Sequence, residues 1–321
     1  MLNTALLDDL LKNLLKQVPE LLGVLVVDLD GLIIAQQSVK EIREDMIGAV
    51  MSVVEQTMER IKKFTETSYG SARFDTNDFQ LFYVELGGSN PALFILVADP
   101  YSDLERVIPY SYIIAEKVSK ILNFQDVSIN LPDFNHNGNN NIIDIKNNSH
   151  SNEFTNLKIL LIGHKEVGKS TLQNIYVNGN ISEEYKPTIG VSYIRKKFSI
   201  TSDNKLQLHL FDISGLRSFA KIRKYYYPKA DAVIILFDYS RKETLEDINE
   251  WIEEAKFFIN NSGIPYFLVG NKVDLIQERD DLRKKAKRLA VQYDCSFFEI
   301  SSVTGQGIDE LFTQLISNLL N

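Results

Sequence analysis

The chain has 321 residues, 44% of them apolar and 24% charged, with a net charge of −8. This length leaves room for two domains of ordinary size with a core each, and the acidic balance argues against a nucleic-acid partner. A single cysteine, Cys295, excludes an internal disulfide and fits a reducing compartment. Leu7, Leu10, Leu11, Leu14 and Leu15 recur at helical spacing after Asn3-Thr4, and Pro19 stops that helix. Gly23 to Asp28 and Leu32 to Ala35 read as strands joined by Leu29-Asp30-Gly31, where Asp-Gly suits a tight turn. A long helix is expected from Lys40 to Phe64, then strands at Tyr69 to Phe74, Phe79 to Glu85 and Ala92 to Ala98, then a helix from Leu104 to Phe124.

This order predicts an α/β sandwich on an antiparallel sheet over residues 1–125. The phrase Val18-Pro19-Glu20-Leu21-Leu22-Gly23-Val24, followed by Val27-Asp28-Leu29-Asp30-Gly31-Leu32-Ile33, resembles the roadblock/dynein light chain domain. The resemblance implies a small non-catalytic module of the kind that partners small GTPases. On a helical wheel Ile47, Val50, Met51, Val54, Met58 and Ile61 form an apolar sector that Ile42, Met46, Ala49 and Val53 extend to about 200°, where a surface helix needs about 100°. The excess is either covered by the neighbouring helices or serves as a partner surface, and in roadblock modules this helix pairs with its copy. A homodimer or hetero-oligomer through this domain is the expectation. Most of the acidity also lies here: residues 1–125 carry 11 Lys and Arg against 18 Asp and Glu.

Residues 126–153 are rich in asparagine, including Asn137, Asn139, Asn140, Asn141, Asn147, Asn148 and Asn152, hold few large apolar groups, and read as a flexible linker. Beyond it, the apolar run Leu157 to Ile162 leads into Gly163-His164-Lys165-Glu166-Val167-Gly168-Lys169-Ser170, followed by Thr171. Strand, glycine loop and helix start in this order make a P-loop. Its glycines let backbone N–H groups surround a phosphate, Lys169 supplies a cation, Ser170 can ligate Mg²⁺, and the helix adds its positive end. His164 is read as a solvent-facing spacer rather than a metal ligand.

Three further motifs sit where strands end. Asp212-Ile213-Ser214-Gly215 follows the strand Leu206 to Phe211 and offers an Asp for Mg²⁺ and a Gly N–H for a γ-phosphate. Asn271-Lys272-Val273-Asp274 follows the strand Tyr266 to Val269. The Asp274 carboxylate can accept from guanine N1–H and the 2-amino group, whereas adenine would set acceptor against acceptor, so the pattern favours GTP over ATP. Ser301-Ser302 ends the strand Phe297 to Ile300 and can lend a backbone N–H to guanine O6. Thr188, in Tyr185-Lys186-Pro187-Thr188-Ile189-Gly190, is a second candidate hydroxyl for the metal.

With these motifs in order, residues 154–321 resemble the Ras superfamily of small GTPases, nearer its Ras and Rab branches than Arf. Tyr225-Tyr226-Tyr227 and Trp251, in the helix expected from Thr244 to Ile259, also look like the Rab pattern. The resemblance implies a P-loop NTPase fold with a mostly parallel six-stranded sheet, GTP/GDP and Mg²⁺ as cofactors, and effector and regulator proteins as partners. It also implies a switch in which Thr188 and Gly215 are drawn to the γ-phosphate and released when it leaves.

The chain departs from the family at several positions. Leu216 stands where the family places the glutamine that orients the attacking water, and a Leu cannot align it. Lys165 replaces a small residue and either crowds out an incoming arginine or supplies charge to the γ-phosphate itself. Ile181 and Val303 replace an aromatic residue and a Lys beside the base, which points to faster nucleotide exchange. The expected enzyme is a slow, partner-dependent GTPase. The basic run Arg283 to Arg288 reads as a solvated helix face, and Arg195-Lys196-Lys197 on a strand needs no special role. No stretch of about 20 apolar residues exists. Leu2 excludes N-myristoylation, and the last five residues hold no prenylation cysteine. A cytoplasmic protein without a direct membrane anchor is therefore expected.

Overall fold

The computed structural model describes residues 3–39, 70–135, 142–145, 154–180, 186–199, 205–260 and 263–320. The helix expected from Lys40 to Phe64, with its apolar sector, lies outside them, as do Ile181 and Tyr185. The chain divides into two compact units, Met1–Phe134 and Asn135–Asn321.

In the first unit, helix α1 (Thr4–Gln17) is capped by Asn3, whose Oδ1 accepts from the Leu6 N–H at 3.1 Å, and it buries Leu7, Leu10, Leu11 and Leu14. Strands β1 (Leu21–Asp28) and β2 (Ile33–Ser38) form the expected hairpin. Asp28 builds the turn: its Oδ1 accepts from Asp30 N–H at 3.0 Å and Leu32 N–H at 2.8 Å, and Gly31 adopts φ +86. Strands β3 (Ser71–Asp75), β4 (Gln80–Leu86) and β5 (Ala92–Ala98) precede helix α2 (Leu104–Leu122). The sheet order is β2-β1-β5-β4-β3, with every neighbouring pair antiparallel. Leu25, Val27, Tyr83 and Ile95 cluster on one face, while the alternate residues Val24, Val26, Val84 and Leu96 are buried too. Burial on both faces explains why β5 and the Leu81 to Val84 stretch of β4 read as continuous apolar runs rather than alternating ones.

The first unit extends nine residues past the expected boundary at 125. Leu131 and Phe134 are buried, and the Phe134 ring meets Tyr110 edge-on at 5.2 Å. Two buried donors of α2 find acceptors in this stretch: Tyr110 Oη donates to Pro132 O at 2.6 Å and Lys117 Nζ to Ser128 O at 2.6 Å. These pairings outweigh the polar composition that reads as a linker. Two two-residue strands, β6 (Asp133–Phe134) and β7 (Ile143–Asp144), follow, with Ile142, Ile143 and Ile145 buried.

The second unit is a six-stranded sheet built from β8 (Phe154–Gly163), β9 (Val191–Ser199), β10 (Lys205–Ile213), β11 (Ala232–Asp238), β12 (Tyr266–Asn271) and β13 (Cys295–Glu299). Its order is β13-β12-β11-β8-β10-β9, parallel except for β9, which runs antiparallel to β10. The main helices are α3 (Lys169–Asn178), α4 (Ile248–Ile259), α5 (Asp280–Tyr293) and α6 (Ile308–Leu320). Ile159, Leu161, Leu208, Leu210, Ile234 and Leu236 centre the core. The helix expected from Thr244 to Ile259 is divided: a short turn, Glu243–Glu246, precedes α4. β8 lies between β11 and β10: the connection after β8 leads to β9 and β10 on one side, and the connection after β10 crosses to β11 on the other. The carboxyl end of β8 is therefore the topological crevice where such sheets take ligands.

One core residue gives a pH prediction. Lys158 on β8 is buried, donates to Pro228 O at 2.8 Å and lies 5.1 Å from the Phe211 ring centre. Burial pushes its pKa down to about 7, with Asp231 opposing and Lys229 adding to the fall. An unfolded lysine titrates near ~10.4. Between these values the unfolded chain binds the extra proton, so stability rises with pH above about 7 and levels off beyond the unfolded value. The gain from pH 7 to pH 9 that Lys158 contributes is on the order of 2 kcal/mol, and Lys158→Met should remove that share while leaving a smaller rise from Lys169, whose pKa burial lowers to about 8. His209, pushed down to about 3 by burial, titrates outside this window. Urea unfolding of both proteins at the two pH values reads the difference.

Candidate nucleotide-binding site

The chain turns at the end of β8 through Gly163 and enters α3 at Lys169. Both P-loop glycines are needed for space as well as conformation. Gly163 has φ +133, and a Cβ there would lie 2.3 Å from Leu236 O; Gly168 has φ +96, and a Cβ would lie 2.1 Å from Asn271 Nδ2. Val167 is buried, Lys165 and Glu166 are exposed, and Thr171 is half-buried on the first turn of α3. Lys169 is buried and its Nζ donates to Gly163 O at 2.9 Å and His164 O at 2.7 Å. Burial lowers its pKa to about 8, opposed by Asp212 and reinforced by Arg223 and Arg241. An anion beside this ammonium stabilises its charged form.

Ser170, Thr188 and Asp212 converge. Ser170 Oγ donates to Asp212 Oδ2 and lies 3.0 Å from Thr188 Oγ1, which donates to the same Oδ2 at 3.2 Å. Asp212 is fully buried, and its Oδ1 has no hydrogen-bond partner. A buried carboxylate oxygen left unpaired beside two hydroxyls is a hard-oxygen donor set that fits Mg²⁺. Among the described residues no group of three or more His, Cys, Asp or Glu side chains is placed to hold a metal. Gly215 lies against the phosphate loop, where an added Cβ would come within 2.4 Å of Lys165 N and 2.5 Å of Gly163 O. Leu216 follows in extended conformation, its N–H 3.4 Å from Ser214 Oγ.

The base motif is knitted into the protein. Asn271 is fully buried: its Nδ2 donates to Val167 O at 2.8 Å, and its Oδ1 accepts from Ser302 N–H at 2.9 Å and Ser302 Oγ at 3.0 Å. It thus staples the phosphate loop to the loop after β13. Ser301 N–H donates to Gln306 O at 3.1 Å. Both N–H groups of the Ser301-Ser302 pair, expected to lend one to guanine O6, have internal acceptors. Lys272, in left-handed conformation at φ +64, places Nζ 2.7 Å from Asp238 Oδ2. Asp274 is exposed at the mouth of the motif.

Sequence reasoning missed Asp238 and Arg241. Burial works against the Asp238 carboxylate, but hydrogen bonds from Lys272 and Ser240 outweigh it and hold its pKa below the ordinary value. Arg241 reaches from the same loop to the Lys165 carbonyl at 2.6 Å. The available signal was position: Asp238-Tyr239-Ser240-Arg241 follows a strand whose carboxyl end borders the crevice. The segment after Gly215 is also anchored more firmly than its sequence suggested. Arg223 makes a two-pronged bond to Glu254 of α4 at 2.8 and 2.9 Å and lies 4.4 Å from the Trp251 ring centre, while Tyr227 donates to Glu254 at 2.9 Å.

A glycine loop running from a central parallel strand into a helix, with a buried lysine and a hydroxyl-carboxylate cluster beside it, defines a P-loop nucleotide-binding domain. Residues 158–321 match the sequence model of the Ras family, and residues 7–70 match that of the Roadblock/LC7 domain. The Ras-related protein RABC2a of Arabidopsis thaliana is 33% identical over 164 residues, covering 51% of this chain and 77% of that protein. The Ras-related protein Rab-39A of Homo sapiens is 28% identical over 166 residues, covering 50% of this chain and 76% of that protein. The chain belongs to the Ras family and carries a roadblock-type domain ahead of its Ras part.

Proposed function

We propose that the chain is a GTP-binding molecular switch with slow, partner-dependent hydrolysis, coupled to a roadblock-type dimerisation or regulatory domain. The observation that carries the reading is the convergence of Lys169, Ser170, Thr188 and Asp212 at the crevice, with one Asp212 oxygen unpaired. In this reading Lys169 and the loop N–H groups hold the β- and γ-phosphates. Ser170, Thr188 and Asp212 would hold Mg²⁺ there. Mg²⁺ neutralises phosphate charge when bound. Asp274 reads guanine, and Asn271 and Lys272 fix the loop that presents it. The roadblock-type domain brings a second copy or a related module close to the GTPase unit, where tethering raises effective concentration. The proposed place of action is the cytoplasm.

Leu216 favours a second reading, a scaffold that holds GTP without turning it over. Single-turnover hydrolysis by the full chain, compared with Leu216→Gln, separates the two. The switch reading expects measurable turnover in the unmodified chain and an increase of about tenfold to a hundredfold in the variant. Complete absence of turnover with candidate partners present favours the scaffold. An unmodified chain as fast as the variant contradicts the slow-hydrolysis assignment.

A further inference from the structure

Arg241 grips the phosphate loop from outside. Its Nη2 donates to Lys165 O at 2.6 Å, and its Nη1 lies 3.7 Å from Glu166 Oε2. Its Nε donates to Asp238 Oδ2 at 3.1 Å. Asp238 is a rigid base for this arm, being buried and held by Lys272 Nζ at 2.7 Å, Ser240 N–H at 2.8 Å and Ser240 Oγ at 2.6 Å. One carboxylate therefore connects the arm on the phosphate loop to the lysine of the base motif.

The bond to Lys165 O matters because of what shares that peptide plane. In a trans peptide the carbonyl and the following N–H point in opposite directions, so holding Lys165 O toward Arg241 aims the Glu166 N–H away from it. Glu166 also sits at φ +65, a left-handed conformation that a non-glycine residue keeps only when its surroundings enforce it. Successive N–H groups turned inward by such a conformation make an anion-binding concavity. Glu166 brings a carboxylate to the rim of that loop, where it repels phosphate, and Arg241 pairs with it.

We propose that Arg241 is a positioning residue: it holds the Lys165–Glu166 peptide in its phosphate-facing orientation and offsets the Glu166 charge, and so sets how long a guanine nucleotide stays bound. The proposal rests on the nucleotide-binding reading above. It explains how a loop with Lys and Glu at two central positions keeps the conformation that small residues adopt freely.

The test loads the full chain with a fluorescent N-methylanthraniloyl GDP in Mg²⁺ and chases with unlabelled GDP. Arg241→Ala should speed release about tenfold, equivalent to about 1.4 kcal/mol. Arg241→Gln, which keeps a donor for Lys165 O without the charge, should give a smaller increase. In a Glu166→Gly background, where neither left-handed strain nor repulsion needs offsetting, Arg241→Ala should change the rate by less than about threefold. An unchanged release rate in Arg241→Ala overturns the proposal, as does an equal factor in both backgrounds. Failure of the unmodified chain to take up the label would remove the nucleotide reading itself, and is read at the loading step, before any chase.

Discussion

Lys169→Met is expected to lower affinity for GDP and GTP by about a thousandfold or more while leaving the fold nearly as stable. The ammonium can make charge-assisted bonds to two phosphates, each worth roughly 1.5–3 kcal/mol, in a place where water cannot substitute. Its contribution to folding is different. Burial has pushed its pKa down to about 8, so the fold gives up part of the free energy of the charged group to keep it there. Removing it relieves that cost and leaves the Gly163 and His164 carbonyls without their donor, two effects of opposite sign. Equilibrium dialysis with radiolabelled GDP, paired with a thermal melt in the absence of nucleotide, reads both quantities. A variant that binds within tenfold of the unmodified chain would show that the lysine does not hold phosphate.

Gly168→Ala is expected to destabilise the second unit by about 3 kcal/mol or more and to speed nucleotide release. Two costs add. A residue with a Cβ at φ +96 bears left-handed strain of about 1–2 kcal/mol. The new methyl would also sit 2.1 Å from Asn271 Nδ2 and displace an amide that joins Val167 O to Ser302. Breaking that buried network adds about 1–3 kcal/mol. Gly179 supplies the control, since it has φ +73 but nothing within 4 Å of an added Cβ. Gly179→Ala should show the conformational cost alone. Urea denaturation of the two variants gives the comparison, and equal losses would mean that the contact with Asn271 carries no energy.

Much of the site was legible because each motif is local and stands beside a strand end. Gly163 to Ser170, Asp212 to Gly215 and Asn271 to Asp274 each follow an apolar run, and the parallel topology brings those run ends to one edge. What stayed hidden depends on contacts between residues distant in the chain. Arg241 and Lys165 are 76 positions apart, and Asn271 and Val167 are 104 apart. Neither pairing leaves a periodic or compositional trace. Asn271 illustrates the difference: its motif marked it for the base, while its position gives it the task of tying two loops together. The boundary at 125 moved for a related reason. Asparagine-rich composition averages out two apolar anchors, Leu131 and Phe134, and says nothing of the donors on α2 that need Ser128 O and Pro132 O.

The switch assignment depends most directly on the second unit holding a guanine nucleotide. Isothermal titration of the full chain with GDP in excess Mg²⁺, repeated in the presence of millimolar ATP, measures this. Saturable uptake of about one nucleotide per chain, undisturbed by ATP, is the predicted result, because Asp274 faces an adenine edge with an acceptor instead of two donors. No saturable heat with GDP, or displacement of GDP by ATP at equal concentration, would contradict it.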